Sequence, residues 1–423
     1  MRHVLVLISC LGPPLSGAVL ADPPGPRATP ARRLPGRYLG FEPTVATSAD
    51  GRVLVAAIDV RRPAGSPDES RILGWRSADG GRTWSEPDEL RPRPRGGAAQ
   101  GDPYLASDAT GRFYLAFQED LGPRHADGRR ALFQHSDDGG ATWTDARPFD
   151  GRMDKIVLAA ESGGRSLVLA FTALGDRSGL RVFRSADRGT SWDELPDAGG
   201  ASFRLRQPFG IATRPNGAIA VACEAQGSGT TVRLLVSGTR DGKAWSETEL
   251  GHFRLRERRL DGQIPALAAW GPGVAHAVYA LPDDAELTRS SLWHRTSADL
   301  ATWSEPVRLS GGEGEWAGFP DAGVGASGRV HVAWMERRAG RWRVLYRGSA
   351  DGGRTWTDPL PVSRPEAPTE FLTEDGFAEP GGHYMGLAEG ARGTVHLAWG
   401  AGAGPAGHGE IWYATVDWPS TDP

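Results

Sequence analysis

The octapeptide Ser-Ala-Asp-Gly-Gly-Arg-Thr-Trp occupies residues 77–84 and returns unchanged at residues 349–356. A catalytic motif is needed once, so a polar, glycine-rich peptide repeated at long range and ending in tryptophan is a piece of architecture. Close relatives stand at 136–143 and 185–192, and worn copies at 239–245 and 297–303. The spacing of roughly 50 to 60 residues is that of propellers and solenoids.

The text upstream of each copy repeats as well. Pro43-Thr44-Val45-Ala46, a turn at Ala49–Arg52 and the apolar run Val53–Ile58 are matched by Pro103–Ala106, Ala109–Arg112 and Phe113–Phe117, and again by Ala326–Arg329 and Val330–Trp334. A last unit, Tyr384–Ala388, Ala391–Thr394, Val395–Trp399 and Ile411–Val416, has no octapeptide. Short β-branched and aromatic runs separated by glycine turns read as four-stranded antiparallel units. Repeated radially, they predict an all-β fold, a single β-propeller over residues 37–423. Seven blades are expected, six being the alternative count, with Arg37–Phe41 supplying the strand that closes the ring.

In each octapeptide the Ser and Asp oxygens are placed to accept hydrogen bonds from the turn's own N–H groups, glycine supplies the turn's backbone angle, and tryptophan packs beneath. Ser77, Asp79, Gly81 and Trp84 recur as Ser136, Asp138, Gly140 and Trp143, as Ser185, Asp187, Gly189 and Trp192, and as Ser349, Asp351, Gly353 and Trp356. All sixteen are expected to be structural.

A net charge of -4 carries no electrostatic footprint for nucleic acid. Residues 1–21 read as a signal peptide: Arg2 and His3 precede an apolar stretch that ends at Ala18-Val19-Leu20-Ala21. Residues 22–36 form a Pro/Arg-rich linker. A secreted or periplasmic protein is expected. Leu7-Ile8-Ser9-Cys10 has the form of a lipoprotein box, which makes a lipid anchor at Cys10 the alternative. No later run has the ~20 apolar residues of a membrane span, and with Cys10 removed Cys223 has no disulfide partner. No His-Glu-x-x-His, Gly-x-Ser-x-Gly or phosphate loop is present, so neither a metal nor a cofactor is expected. His276, His331 and His396 share one strand position, which marks packing.

The pattern Ser-x-Asp-x-Gly-x-Thr-Trp resembles the Asp box of bacterial neuraminidase repeats, and the chain resembles the sialidase-like propellers over nearly all of its mature length. Sialidases clamp the substrate carboxylate with three arginines, attack with a tyrosine activated by a glutamate, and use an aspartate as acid/base. The resemblance implies Asp68 for that aspartate and Tyr384 for the nucleophile. It departs at Phe41-Glu42-Pro43, where an aromatic and an acid replace an Arg-Ile-Pro tripeptide, and at Ala222-Cys223-Glu224, where a second clamp arginine is sought. A carboxylate in the clamp repels a bound carboxylate by at least ~1 kcal/mol at 4 Å.

Chain direction sets the Asp boxes on the face of the tight turns, leaving the opposite face for a ligand. First-strand starts bring Glu42, Asp102, Asp154, Gln207, Gln263, Asp321 and His383 there; second-strand ends bring Asp59, Arg61, Arg62, Glu119, Asp120, Glu224, Glu336 and Arg337. The expectation is an exported propeller that recognises an extracellular glycan or glycoprotein surface without sialidase activity. The alternative is a retaining exo-sialidase-type glycoside hydrolase, so enzymatic activity is left open. A loop-displaying scaffold is the third reading.

Overall fold

The computed structural model describes residues 25–60, 70–91, 98–121, 128–161, 163–175, 178–196, 198, 205–214, 216–227, 229–254, 264–268, 273–310, 315–339, 341–363, 370–372, 378–380, 384–401 and 409–419. Residues 1–21, Arg61, Arg62, Asp68, Gln263 and His383 lie outside this set.

The second strand of each repeat organises the fold. Val53–Asp59 and Phe113–Asp120 are buried along their whole length. An unbroken apolar run suits a strand covered on both faces by neighbouring sheets. First strands such as Gly40–Thr47 are buried less evenly because one side lines a channel. The result is a β-propeller with one three-residue 3₁₀ segment, Ala391–Gly393, among the described residues.

Four sheets have four antiparallel strands in chain order, starting from Gly40–Thr47, Gln100–Ser107, Arg152–Ala160 and Leu205–Thr213. A fifth sheet holds Met385–Glu389, Val395–Ala401 and Glu410–Asp417, with Arg27–Ala28 and Arg32–Arg33 both paired to its last strand. The expectation of seven separate blades is corrected here: among the described residues five discrete blades form. The intervening repeats merge into one eight-stranded sheet, whose halves 265–308 and 315–361 meet through the single parallel bridge Ser290↔Trp316. The expected closing role of Arg37–Phe41 is corrected too. Gly40 and Phe41 begin the first sheet, paired with Asp59 and Ile58, while the edge of the last sheet is taken by the earlier segments Arg27–Ala28 and Arg32–Arg33.

First strands contact one another in order around the channel, and Met385–Glu389 returns to Gly40–Thr47. Two glycines permit this close approach. A Cβ on Gly210 would lie 2.5 Å from the Leu267 nitrogen, and one on Gly386 would lie 2.6 Å from the Val45 nitrogen.

The Asp boxes have the expected geometry. Ser77 Oγ donates to Asp79 at 2.9 Å and accepts from Gly81 N–H at 2.8 Å, while Thr83 gives Asp79 its N–H at 2.8 Å and its hydroxyl at 2.7 Å. The same contacts recur around Asp138, Asp187 and Asp351. The Ser191 hydroxyl and N–H hold Asp187 down to about 2, and the Thr355 pair does the same for Asp351.

The tryptophans are half-buried and reach sideways. Trp84 packs edge-on against Tyr413 at 4.8 Å, Trp192 against Phe133 at 5.1 Å and Trp356 against His294 at 5.0 Å, each partner belonging to the preceding repeat. The boxes therefore clasp neighbouring repeats as well as their own hairpins. Beneath them, buried His276, His331 and His396 bond third-strand His294, Tyr346 and Tyr413 at 3.1, 2.7 and 2.6 Å.

Candidate functional site

A cavity of about 1200 Å³ follows the axis, walled by first strands from Glu42, Asp102, Lys155, Phe209, Phe319 and Tyr384 at one end to Ser48, Asp108 and Glu161 at the other. The second end carries the tight turns, and Gly80 of an Asp box donates to Gly51 of such a turn at 3.0 Å. Glu42, Asp102 and Tyr384 thus stand at the mouth opposite the boxes.

The mouth is built by one recurring irregularity. Five first strands slip register against their second strands, between Phe41/Thr44, Gly101/Tyr104, Asp154/Ile156, Pro208/Gly210 and Gly318/Asp321. A bulge inserts an unpaired residue and re-aims its side chain. The inserted positions hold Glu42, Asp102, Lys155, Phe209 and Phe319, and four of them have positive φ: 52°, 45°, 44° and 50° for Glu42, Asp102, Lys155 and Phe319. Equivalent backbone positions therefore present an acid, an acid, a base and two aromatics.

This corrects the residue choice in three repeats. Asp154 and Gln207 pair normally with Thr172 and Glu224. Lys155 and Phe209 take the bulges. A signal was available in Glu42-Pro43, Asp102-Pro103 and Phe319-Pro320, where proline follows the bulge residue. Asp321 lies two positions past its bulge and bridges strands: its carboxylate accepts Ala322 N–H at 2.8 Å and Leu387 N–H at 2.7 Å.

Lys155 Nζ lies 3.5 Å from the Tyr384 ring centroid and 5.4 Å from that of Phe209, and the two rings are 5.9 Å apart. Burial first, then the neighbouring charges of Glu42 and Asp154, push Asp102 up to about 7 against the opposing pull of Lys155 and Arg129. Burial likewise brings Asp321 to about 7 despite its two backbone donors. Tyr104 is raised by burial and by Asp321 across the channel. In both acids burial favours the neutral carboxyl over the carboxylate.

Second-strand acids meet third-strand arginines in register. Arg71 Nη2 lies 2.9 Å from Asp59, Arg130 2.7 Å from Glu119 and Arg129 3.4 Å from Asp120; Arg343 Nε donates to Glu336 at 2.9 Å. Arg337 lies over Trp342 at 5.7 Å. Glu224 differs, facing Leu234 across the sheet, with Gln226 donating to it at 2.8 Å, and burial lifts it to about 7. Of the expected site residues, Glu42, Asp102, Asp321 and Tyr384 share the cavity wall, while Asp59, Glu119, Asp120, Glu224, Glu336 and Arg337 are not among its lining residues. Cys223 is buried, which pushes its thiol up to about 12.

Among the described residues lining the cavity, the side-chain cations are Lys155 and Arg214, against the carboxyls of Glu42, Asp102, Asp108, Glu161, Asp321 and Glu389. No group of three or more His, Cys, Asp and Glu suited to a metal occurs among the described residues. No helix among them is long and apolar enough to cross a membrane.

Fold and boxes together define a sialidase-like propeller. The chain belongs to the BNR repeat-like domain family, whose model matches residues 40–332. No curated protein matches it. Among solved structures, a Dyadobacter fermentans protein of unknown function superposes with a TM-score of 0.52 at 15% identity, covering 94% of this chain and 100% of the other. The endosialidase of phage phi92 has a TM-score of 0.51 at 12% identity, covering 94% and 70%. The Hadza microbial sialidase Hz136 has a TM-score of 0.49 at 15% identity, covering 89% of this chain and 65% of its own. At these identities the likeness is one of fold.

Proposed function

We propose that this chain is an exported sialidase-like propeller that recognises a glycan at the channel mouth opposite its Asp boxes, without hydrolysing sialosides. The observation that carries the reading is the charge of the mouth among the described residues: Glu42 and Asp102 occupy bulges of successive first strands, and Lys155 takes the bulge of the next. A sialic acid carboxylate calls for convergent guanidinium groups. The Tyr384 and Phe209 rings offer apolar faces on which a sugar ring stacks, while the carboxyls accept hydroxyl donors.

Glycan-array binding with the mature chain, followed by calorimetry on hits, tests this reading. Binding lost in Tyr384→Leu, with no release of 4-methylumbelliferone from its sialoside, supports it. The presence of Tyr384 on the cavity wall keeps one competitor in view, the exo-glycosidase with Tyr384 as nucleophile and Asp68 as acid/base. Sialoside turnover abolished by Tyr384→Phe would establish that competitor and end the present reading.

A further inference from the structure

We propose that the channel mouth is a site for a protonated amine, and that the glycan recognised there bears free amino groups, as in an oligomer of de-N-acetylated hexosamine. The inference rests on the glycan reading above and narrows it. Its ground is that the chain already seats an ammonium of its own in the site.

Lys155 is only 8% exposed, although lysine is among the residues least often buried. Its Nζ, 3.5 Å from the Tyr384 centroid and 5.4 Å from that of Phe209, occupies the aromatic faces that attract a cation electrostatically. The carboxyls of Asp102, Glu42 and Asp154 form the local acid group, with Asp102 directly sensing the Lys155 charge. Asp154 is also held by Arg129 at 3.4 Å and by Gln207 at 3.3 Å, which fixes that wall of the cage.

Two aromatic faces at the Nζ, with carboxyls among the neighbouring wall residues, make the chemistry that binds an ammonium. A carboxylate would be repelled there, and a neutral hydroxyl gains nothing from the cation–π component. Lys155 reaches the cage on a flexible four-carbon stem, anchored at an unpaired bulge residue with φ 44°. It is a tethered stand-in that a ligand amine can displace. A tethered occupant competes at high effective concentration, so the native chain binds more weakly than its cage would allow.

The test titrates the mature protein with a glucosamine tetramer and, separately, with its fully N-acetylated counterpart, at pH 6, where the amines are protonated. The native chain is expected to favour the amine form by about tenfold, the size of a desolvated cation–π contact. Lys155→Met keeps the length and removes the charge, and is expected to widen that preference. Lys155→Gln repeats the comparison with a polar stem. Phe209→Leu in the Lys155→Met background removes one of the two cation-attracting rings and should erase the gain. Equal affinity of the native chain for both oligomers overturns the amine assignment and leaves glycan recognition standing. Failure of both oligomers to bind native and Lys155→Met proteins overturns the amine site and leaves the broader glycan reading to its own array test.

Discussion

The two ends of the channel follow opposite rules. At the Asp-box rim the same contacts recur with nearly the same lengths: the box serine accepts its glycine N–H at 2.8 Å around Asp79, Asp138, Asp187 and Asp351 alike. At the mouth a shared backbone bulge carries Glu42, Asp102, Lys155, Phe209 and Phe319. Identical side chains mark work that several repeats share, which is holding onto a neighbour. Different side chains on one backbone device mark a surface that acts once, as a composite.

If that contrast is right, damage at the rim is read as stability and damage at the mouth as recognition. The largest effect is expected for Gly81→Val. Gly81 has φ 80°, and a Cβ there would overlap the Tyr413 hydroxyl, so backbone strain and overpacking together should cost about 3 kcal/mol or more. Denaturant unfolding measures it, and a loss under 1 kcal/mol would remove the clasp from the account. Asp351→Ala comes next. It strips the hydrogen bonds from Ser349 and Thr355 and should cost about 1–3 kcal/mol, with mouth ligand affinity unchanged in the folded fraction.

Tyr384→Leu should do the reverse, shifting stability by about 1 kcal/mol or less at a half-buried site while ending glycan binding. A large melting shift with intact binding would break the comparison.

The smallest effect is a difference in sign with pH. Burial holds His276, His331 and His396 at about 4, below the ordinary value near 6.5. Between those values the unfolded chain binds more protons, so this contribution weakens as pH falls from about 6.5 to about 4. The Asp187 and Asp351 carboxylates add a further loss as pH falls from about 4 to about 2. Asp102 works in the other direction. Raised to about 7, it binds more protons in the native state, and its contribution declines as pH rises from about 4 to about 7. The melting temperature of Asp102→Asn minus that of the native chain should therefore grow across that window. A flat difference would show that the mouth carboxyl ionises freely.

The rim was legible in the sequence because its chemistry is local. Ser77, Asp79, Gly81 and Thr83 bond within one octapeptide, so spacing alone reveals the turn. The mouth was legible only in part. Glu42, Asp102 and Tyr384 were found by counting along first strands, but Lys155 and Phe209 sit on an extra residue that counting assigns to Asp154 and Gln207. A bulge is a register event between strands, and only the proline after Glu42, Asp102 and Phe319 hints at it. The sideways reach of Trp84 to Tyr413 was hidden for a related reason, since its partner lies 329 positions away (413 − 84). The merger of two repeats into one sheet depends on a single contact, Ser290 with Trp316, which no local pattern encodes.

The pairing of Arg27–Ala28 with Val416 and Asp417 has a temporal meaning. Thr29 and Thr415, hydrogen-bonded to each other, are separated by 386 positions. During synthesis the early-made segment must wait for a partner strand made 386 positions later. Such distant pairing slows folding, and it leaves a raw strand edge exposed in the meantime.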